Sequence, residues 1–243
     1  MKLSTAILIS MMVLLVGSLF ATNIMFKHQY DNLDRSDIYW NYNKILQKPF
    51  KHLKIEGGNV TNIVFEQGKN SSVRVLDYWG GYQKDSVKAY TRGDTLHLKF
   101  LNKYDNNLSK SWMENNVLIR LAAPQLLSIE GSDTNVKIDQ FRGRSLTVNL
   151  SGKSRLEVES DIRRIDQLNI TQSDSTQVTF GMNPEMKGSP RIYVRNITAN
   201  LSGVTLLDIG HIYANQTKLY LADSAALILS GKTIGTLKDQ LSN

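Results

Sequence analysis

Apolar positions along this chain change their spacing twice. From residue 3 to residue 26 they run without a single charge (LSTAILISMMVLLVGSLFATNIMF). A helix rises about 1.5 Å per residue, and about 20 apolar residues cross a hydrocarbon core roughly 30 Å thick. The run therefore predicts one transmembrane helix over residues 1–26. Its polar members, Ser10, Ser18 and Thr22 among them, bond within the helix or lie near its ends. A cleaved signal peptide is the alternative. Its cleavage site would be poor, because Ala21 has Leu19 two residues before it, and the apolar run continues through Ile24, Met25 and Phe26.

Residues 27–48 are polar and charged, with Tyr30, Tyr39, Trp40 and Tyr42 interspersed, and no period persists. They read as a membrane-proximal linker closed by Pro49. From residue 49 to 243 the apolar positions alternate instead. Leu53 and Ile55 are followed by Val73 and Val75, then Leu96 and Leu98, then Ile119 and Leu121. Gly, Asn, Asp and Ser gather between these runs, as in Gly57-Gly58 and Arg92-Gly93-Asp94. Short period-2 segments separated by turn residues predict an all-β domain.

The second half is self-similar. LSIEGSDTNVKI (127–138), LTVNLSGKSRLEV (146–158), LNITQSDSTQVTF (168–180), ITANLSGVTLLDI (197–209) and LYLADSAALIL (219–229) share one plan. Alternating apolar residues lead to a corner serine, and the alternation then resumes. The serines are Ser132, Ser151, Ser173, Ser202 and, after a shift of one or two residues, Ser224. In the second unit Leu146, Val148 and Leu150 point inward and Thr147 and Asn149 outward; after the bend Leu156 and Val158 point inward again. One unit cannot bury its apolar face alone, so stacked neighbours complete the core. A parallel β-helix or β-solenoid is the expected architecture, and an antiparallel sandwich or mixed roll the alternative. The less repetitive N-terminal part would cap one end of the stack.

The exported apolar segment, the L-x-I-x-G-G stretch at 53–58 and the repeated Ser-Gly and Ser-Asp turns resemble the head GIN domain proteins. That family is found in Bacteroidetes-type bacteria and is labelled auto-transporter adhesins. The resemblance covers about residues 50–235. It implies a right-handed β-helix-like fold and a cell-envelope location, with no functional residue to carry over.

Charge and chemistry narrow the picture only a little. The chain has 29 Lys and Arg against 22 Asp and Glu, and no cysteine. Disulfides, thiolate nucleophiles and thiolate metal sites are thereby excluded. The net charge of +7 is spread over small clusters, so no nucleic-acid partner is expected. His28, His52, His97 and His211 show no metal-binding spacing. Asp133, Asp174 and Asp223 beside the corner serines could line up for calcium, but a turn role accounts for them equally well. The serines are expected to cap turns with their hydroxyls.

No catalytic residue, cofactor or metal ligand is expected. The surface candidate is Tyr78-Trp79-Gly80-Gly81-Tyr82, where Tyr78, Trp79 and Tyr82 would stack on a ligand or else cover the end of the core. Eight N-x-S/T triplets occur, including those at Asn149, Asn169, Asn196 and Asn200, and strand alternation alone generates many of them. The expected function is a membrane-anchored, extracytoplasmic, non-enzymatic module for adhesion, interaction or envelope structure. Its helix would meet membrane lipid, and its domain a protein or glycan of the envelope. A sensor subunit working through a partner and a β-helix carbohydrate-active enzyme are the alternatives.

Overall fold

The computed structural model describes residues 3–31, 36–59, 61–77, 79, 87–101, 117–159, 164–181, 192–210, 212–229 and 234. The chain divides into two units, Met1–Asn41 and Tyr42–Asn243. The first contains one helix, α1 (Leu3–Asp31), with no buried residue. Its 29 residues give a length of about 43 Å, more than a hydrocarbon core requires. The hydroxyls of Ser10, Ser18 and Thr22 donate to the carbonyls of Ile7, Leu15 and Ser18, each at 2.8 Å. Polar side chains in the apolar run thus satisfy themselves on their own helix.

The second unit is mostly β. Its first half provides β1 (Tyr42–Leu46), β2 (His52–Glu56), β3 (Asn62–Gln67) and β4 (Ser72–Leu76). After these come β5 (Val87–Arg92), β6 (Thr95–Phe100) and β7 (Val117–Ala123). The repeats form β8 (Ser128–Ser132), β9 (Asn135–Gln140), β10 (Ser145–Ser151), β11 (Lys153–Glu159) and β12 (Arg164–Gln172). They continue as β13 (Ser175–Gly181), β14 (Ile192–Leu201), β15 (Leu206–Ile209), β16 (Ile212–Leu221) and β17 (Ala226–Leu229).

These strands make two mixed sheets. Sheet 1 runs β1-β4-β7-β3-β9-β11-β13-β15-β17 and sheet 2 runs β16-β14-β12-β10-β8-β2-β6-β5. From β8 onward the chain alternates between them, and each strand pairs in parallel with the strand two places ahead. An antiparallel sandwich does not describe this half. Antiparallel pairs are confined to β1–β4, β4–β7 and β5–β6.

Alternation becomes burial through the register. In sheet 2, Ile129, Val148, Ile170 and Ala199 face one another along the stack. Val136, Leu156, Val178 and Leu207 do the same in sheet 1. None of these eight is more than 3% exposed, and both rows belong to one core. Each fully buried side chain of the larger kind contributes about 1.5–3 kcal/mol relative to exposure.

Two features depart from the sequence reading. The first repeat-like unit, β2 with β3, sits inside the stack, between β8 with β9 on one side and β6 with β7 on the other. Chain order and spatial order therefore differ at this end. The linker span 27–48 is also shared out: α1 continues through Asp31, and β1 begins at Tyr42 and joins sheet 1. The side chains of Ile45 and Leu46, packed against the core, give β1 its reason to do so.

Candidate functional site

The corner between each sheet-2 strand and its sheet-1 successor needs a left-handed residue. Successive corners supply Gly57 (φ 85°), Asp133 (53°), Gly152 (65°), Asp174 (63°), Gly203 (78°) and Asp223 (57°). Glycine and aspartate alternate along the stack. Asp is among the few side chains that tolerate this conformation, and its carboxylate here reaches the next corner. Asp133 Oδ1 accepts from the Lys153 N–H at 2.9 Å and Asp174 Oδ2 from the Gly152 N–H at 2.9 Å. Asp223 Oδ2 accepts from the Gly203 N–H at 3.1 Å. A Cβ on Gly152 would stand 2.5 Å from Asp133 Oδ1, so an aspartate corner requires a glycine beside it.

These contacts assign the turn acids to backbone hydrogen bonding. Among the described residues no group of three or more His, Asp or Glu side chains is placed to hold a metal ion. The corner serine position holds for Ser132, Ser151, Ser173 and Ser202, which follow from the strand register. In the last unit the aligned residue is Ala222, next to Asp223, and Ser224 falls two places later.

A groove of about 1200 Å³ follows these corners, bordered at one end by Lys54, Glu56, Lys99 and Glu130. Lys54 Nζ pairs with Glu130 at 2.5 Å and Lys99 Nζ with Glu56 at 3.0 Å. The hydrogen bond to Glu130 raises the Lys54 ammonium above its ordinary value, and that to Glu56 does the same for Lys99. The Lys99 hydrogen bond holds the Glu56 carboxyl below its ordinary value. This end of sheet 2 is therefore charged and internally paired.

Further along the same outer face the chemistry changes. On β10, β12 and β14, Thr147, Asn169 and Thr198 form one column, and Asn149, Thr171 and Asn200 form the next. Ser145, Gln167 and Asn196 form a third. None is buried, none is charged, and none of these nine side chains meets a hydrogen-bond partner among the described residues. Tyr193 and Tyr213 stack at 5.6 Å on the margin of this face, and Tyr220, 60% exposed, stands beside Asn200.

The outer face of sheet 1 is unlike it. Lys137 pairs with Glu159 at 2.6 Å and Arg155 with Glu157 at 3.6 Å. Burial lowers the Lys137 ammonium, but the hydrogen bond to Glu159 and the charge of Asp139 leave it raised on balance.

Of the aromatic surface candidate, Trp79 is 3% exposed and lies in the core, 6.5 Å from the Phe100 ring. Its indole closes the core end instead of facing solvent. Tyr78 and Tyr82 lie outside the described residues. The neutral columns are what the sequence reading passed over. Its N-x-S/T triplets at Asn149, Asn169, Asn196 and Asn200 contain six of the nine residues, and aligning the units as T-x-N, N-x-T and T-x-N would have revealed the pattern.

No protein-family model matches the chain, and no curated protein matches it in sequence. Solved structures do resemble it. One, described as a "putative adhesin" from Bacteroides fragilis, is 15% identical, with a TM-score of 0.50 over 76% of this chain and 94% of its own. Another so described, from Parabacteroides merdae, is 11% identical, with a TM-score of 0.37 over 77% and 95%. A third, described as a "putative lipid binding protein" from Parabacteroides distasonis, is 12% identical, with a TM-score of 0.33 over 78% and 94%. The likeness to the first is one of fold.

Proposed function

We propose that this chain is a membrane-anchored, extracytoplasmic interaction module of the adhesin kind, built as a right-handed parallel β-solenoid and acting without catalysis. The observation that carries it is the union, in one chain, of an apolar helix with no buried residue and a domain of parallel, in-register repeats. Parallel in-register pairing of strands that alternate between two sheets supports the solenoid reading, and parallel crossovers favour the right hand. The helix meets membrane lipid, and the domain stands outside to meet a partner in the envelope. The name of the Bacteroides fragilis protein of similar fold agrees with this role. The acidic groups in the groove and corners are occupied with lysines or backbone N–H groups, an arrangement suited to rigidity.

The test is display of the full chain on cells that otherwise do not adhere, beside a version whose residues 3–31 are exchanged for an unrelated single-span helix. Both should raise adherence to envelope-coated surfaces equally. Loss of the effect on exchanging the helix would favour a partner inside the membrane and contradict the proposal, as would no gain from either chain.

A further inference from the structure

We infer that the outer face of sheet 2 across β10, β12 and β14 is the binding face, and that its ligand is an uncharged polysaccharide. The inference rests on the display proposed above and names the partner class.

Charge comes first. In a protein of net charge +7, three adjoining strands present three columns without one ionisable side chain. An anionic polymer would be met by Lys and Arg, whose charge and donor geometry suit carboxylate, sulfate and phosphate. On sheet 2 those residues ring the columns without entering them: Lys218 lies beside Thr198 on β16, Arg144 and Arg164 pair with Asp166 next to Gln167, and Lys54 and Lys99 hold the paired end.

Hydrogen bonding comes next. Each amide offers two donors and an acceptor, and each hydroxyl a donor and acceptor sites. Thr147, Asn169 and Thr198 lie beside Asn149, Thr171 and Asn200, so Asn and Thr alternate both along and across the strands. In-register stacks of like residues would bond to one another and stabilise a parallel sheet. This checkerboard breaks such ladders and leaves the groups open to solvent. Its repeat is about 4.8 Å between strands and about 6.7 Å between alternate residues. A regular grid of neutral donors and acceptors complements a ligand that repeats hydroxyl groups along an extended chain.

The margin supplies the remaining element. The exposed ring of Tyr220 offers an apolar face with a polar tip, suited to the C–H face of a sugar ring. A protein partner fits less well, since protein interfaces concentrate aromatic, Met and Arg side chains at their centre, and here the centre is amide and hydroxyl.

The experiment uses the full chain in lipid nanodiscs. Retention is measured on dextran, mannan and arabinoxylan as neutral probes and on alginate and heparin as anionic ones. At least one neutral polymer should retain the protein, with retention insensitive to molar salt. Asn169→Ala combined with Thr171→Ala and Thr198→Ala should weaken it by about tenfold or more, each lost hydrogen bond costing about 0.5–1.5 kcal/mol. Arg155→Ala with Gln177→Ala, on sheet 1, should leave it unchanged. Thermal midpoints of both variants report whether each remains folded, as exposed substitutions should. Salt-sensitive retention on the anionic probes alone would overturn the inference. So would neutral retention indifferent to the sheet-2 variant, or retention on no neutral probe. If cells displaying the chain still adhere in those cases, the module reading stands and only the polysaccharide assignment fails. If they do not adhere, both fail.

Discussion

At residue 203 the backbone sits at φ 78°, and a Cβ there would lie 2.7 Å from the carbonyl oxygen of Asp174. Residue 93 has a similar φ of 61° but open space around it. The two glycines thus separate strain from collision. Gly93→Ala should cost about 1 kcal/mol, the conformational term alone, and Gly203→Ala about 3 kcal/mol. Denaturant midpoints of the full chain in detergent would show the difference, and equal losses would refute the corner account.

Ionisation also acts at this scale. The Glu56 carboxyl is held below its ordinary value of 4.5 by its bond to Lys99. Its stabilising contribution is therefore complete above 4.5 and fades as pH falls through the lower folded value. Lys54 and Lys99 are raised above 10.5, so their contributions are complete below 10.5 and fade as pH rises through the folded values. Both pairs are solvent-exposed, so the effect is small. The thermal midpoint should be flat between these limits, and Glu56→Gln should soften the acid limb.

Residue types at the corners were legible in the sequence, because Ser, Asp and Gly favour turns locally. Their alternation was not interpretable there. It arises because a neighbouring corner fills the space of a Cβ, with the Asp133 carboxylate at Gly152 and the Asp174 backbone at Gly203, which only stacking brings near.

The strands themselves follow a local rule, inward apolar and outward polar, and so the unit at 146–158 was read with its inner and outer faces correct. Phe180 and its neighbours at 0% exposure show where that rule carries energy. Phe180→Ala should cost about 3–5 kcal/mol, measured by unfolding. Gln172 breaks the rule. It is 1% exposed between Leu150 and Leu201, and its Nε2 donates to Thr176 Oγ1 at 3.1 Å and Leu206 O at 3.2 Å. Its Oε1 has no partner among the described residues. Gln172→Leu should change stability by less than about 1 kcal/mol or increase it, because apolar replacement of an imperfectly satisfied amide is tolerated. Gln172→Glu should destabilise by several times more, since a charge would be buried without a counter-ion.

Strand order escaped the sequence for a physical reason. Alternation reports which face a residue uses and says nothing of which strand lies beside it. The contact between His52 and Ser128 spans 76 residues. It places β2 against β8 although five strands separate them in the chain.

For the molecule as a whole, one end of the stack is closed by antiparallel strands and Trp79. The two outer faces differ in chemistry, sheet 1 being charged and paired and the centre of sheet 2, over β10, β12 and β14, neutral and open. The apolar helix was fully legible from composition, because crossing a bilayer depends on length and the absence of charge. The neutral face was hidden, because its residues belong to three units whose alignment matters more than any one motif.

Display outside the membrane by the helix is the central claim, and the lack of native cysteine allows a clean measurement. A single Val204→Cys, at a position 68% exposed, gives the full chain its only thiol. The account predicts labelling by a membrane-impermeant maleimide in intact spheroplasts, with the labelled chain remaining in the carbonate-washed membrane fraction. Labelling only after lysis, or recovery of the labelled domain as a soluble product, would contradict it.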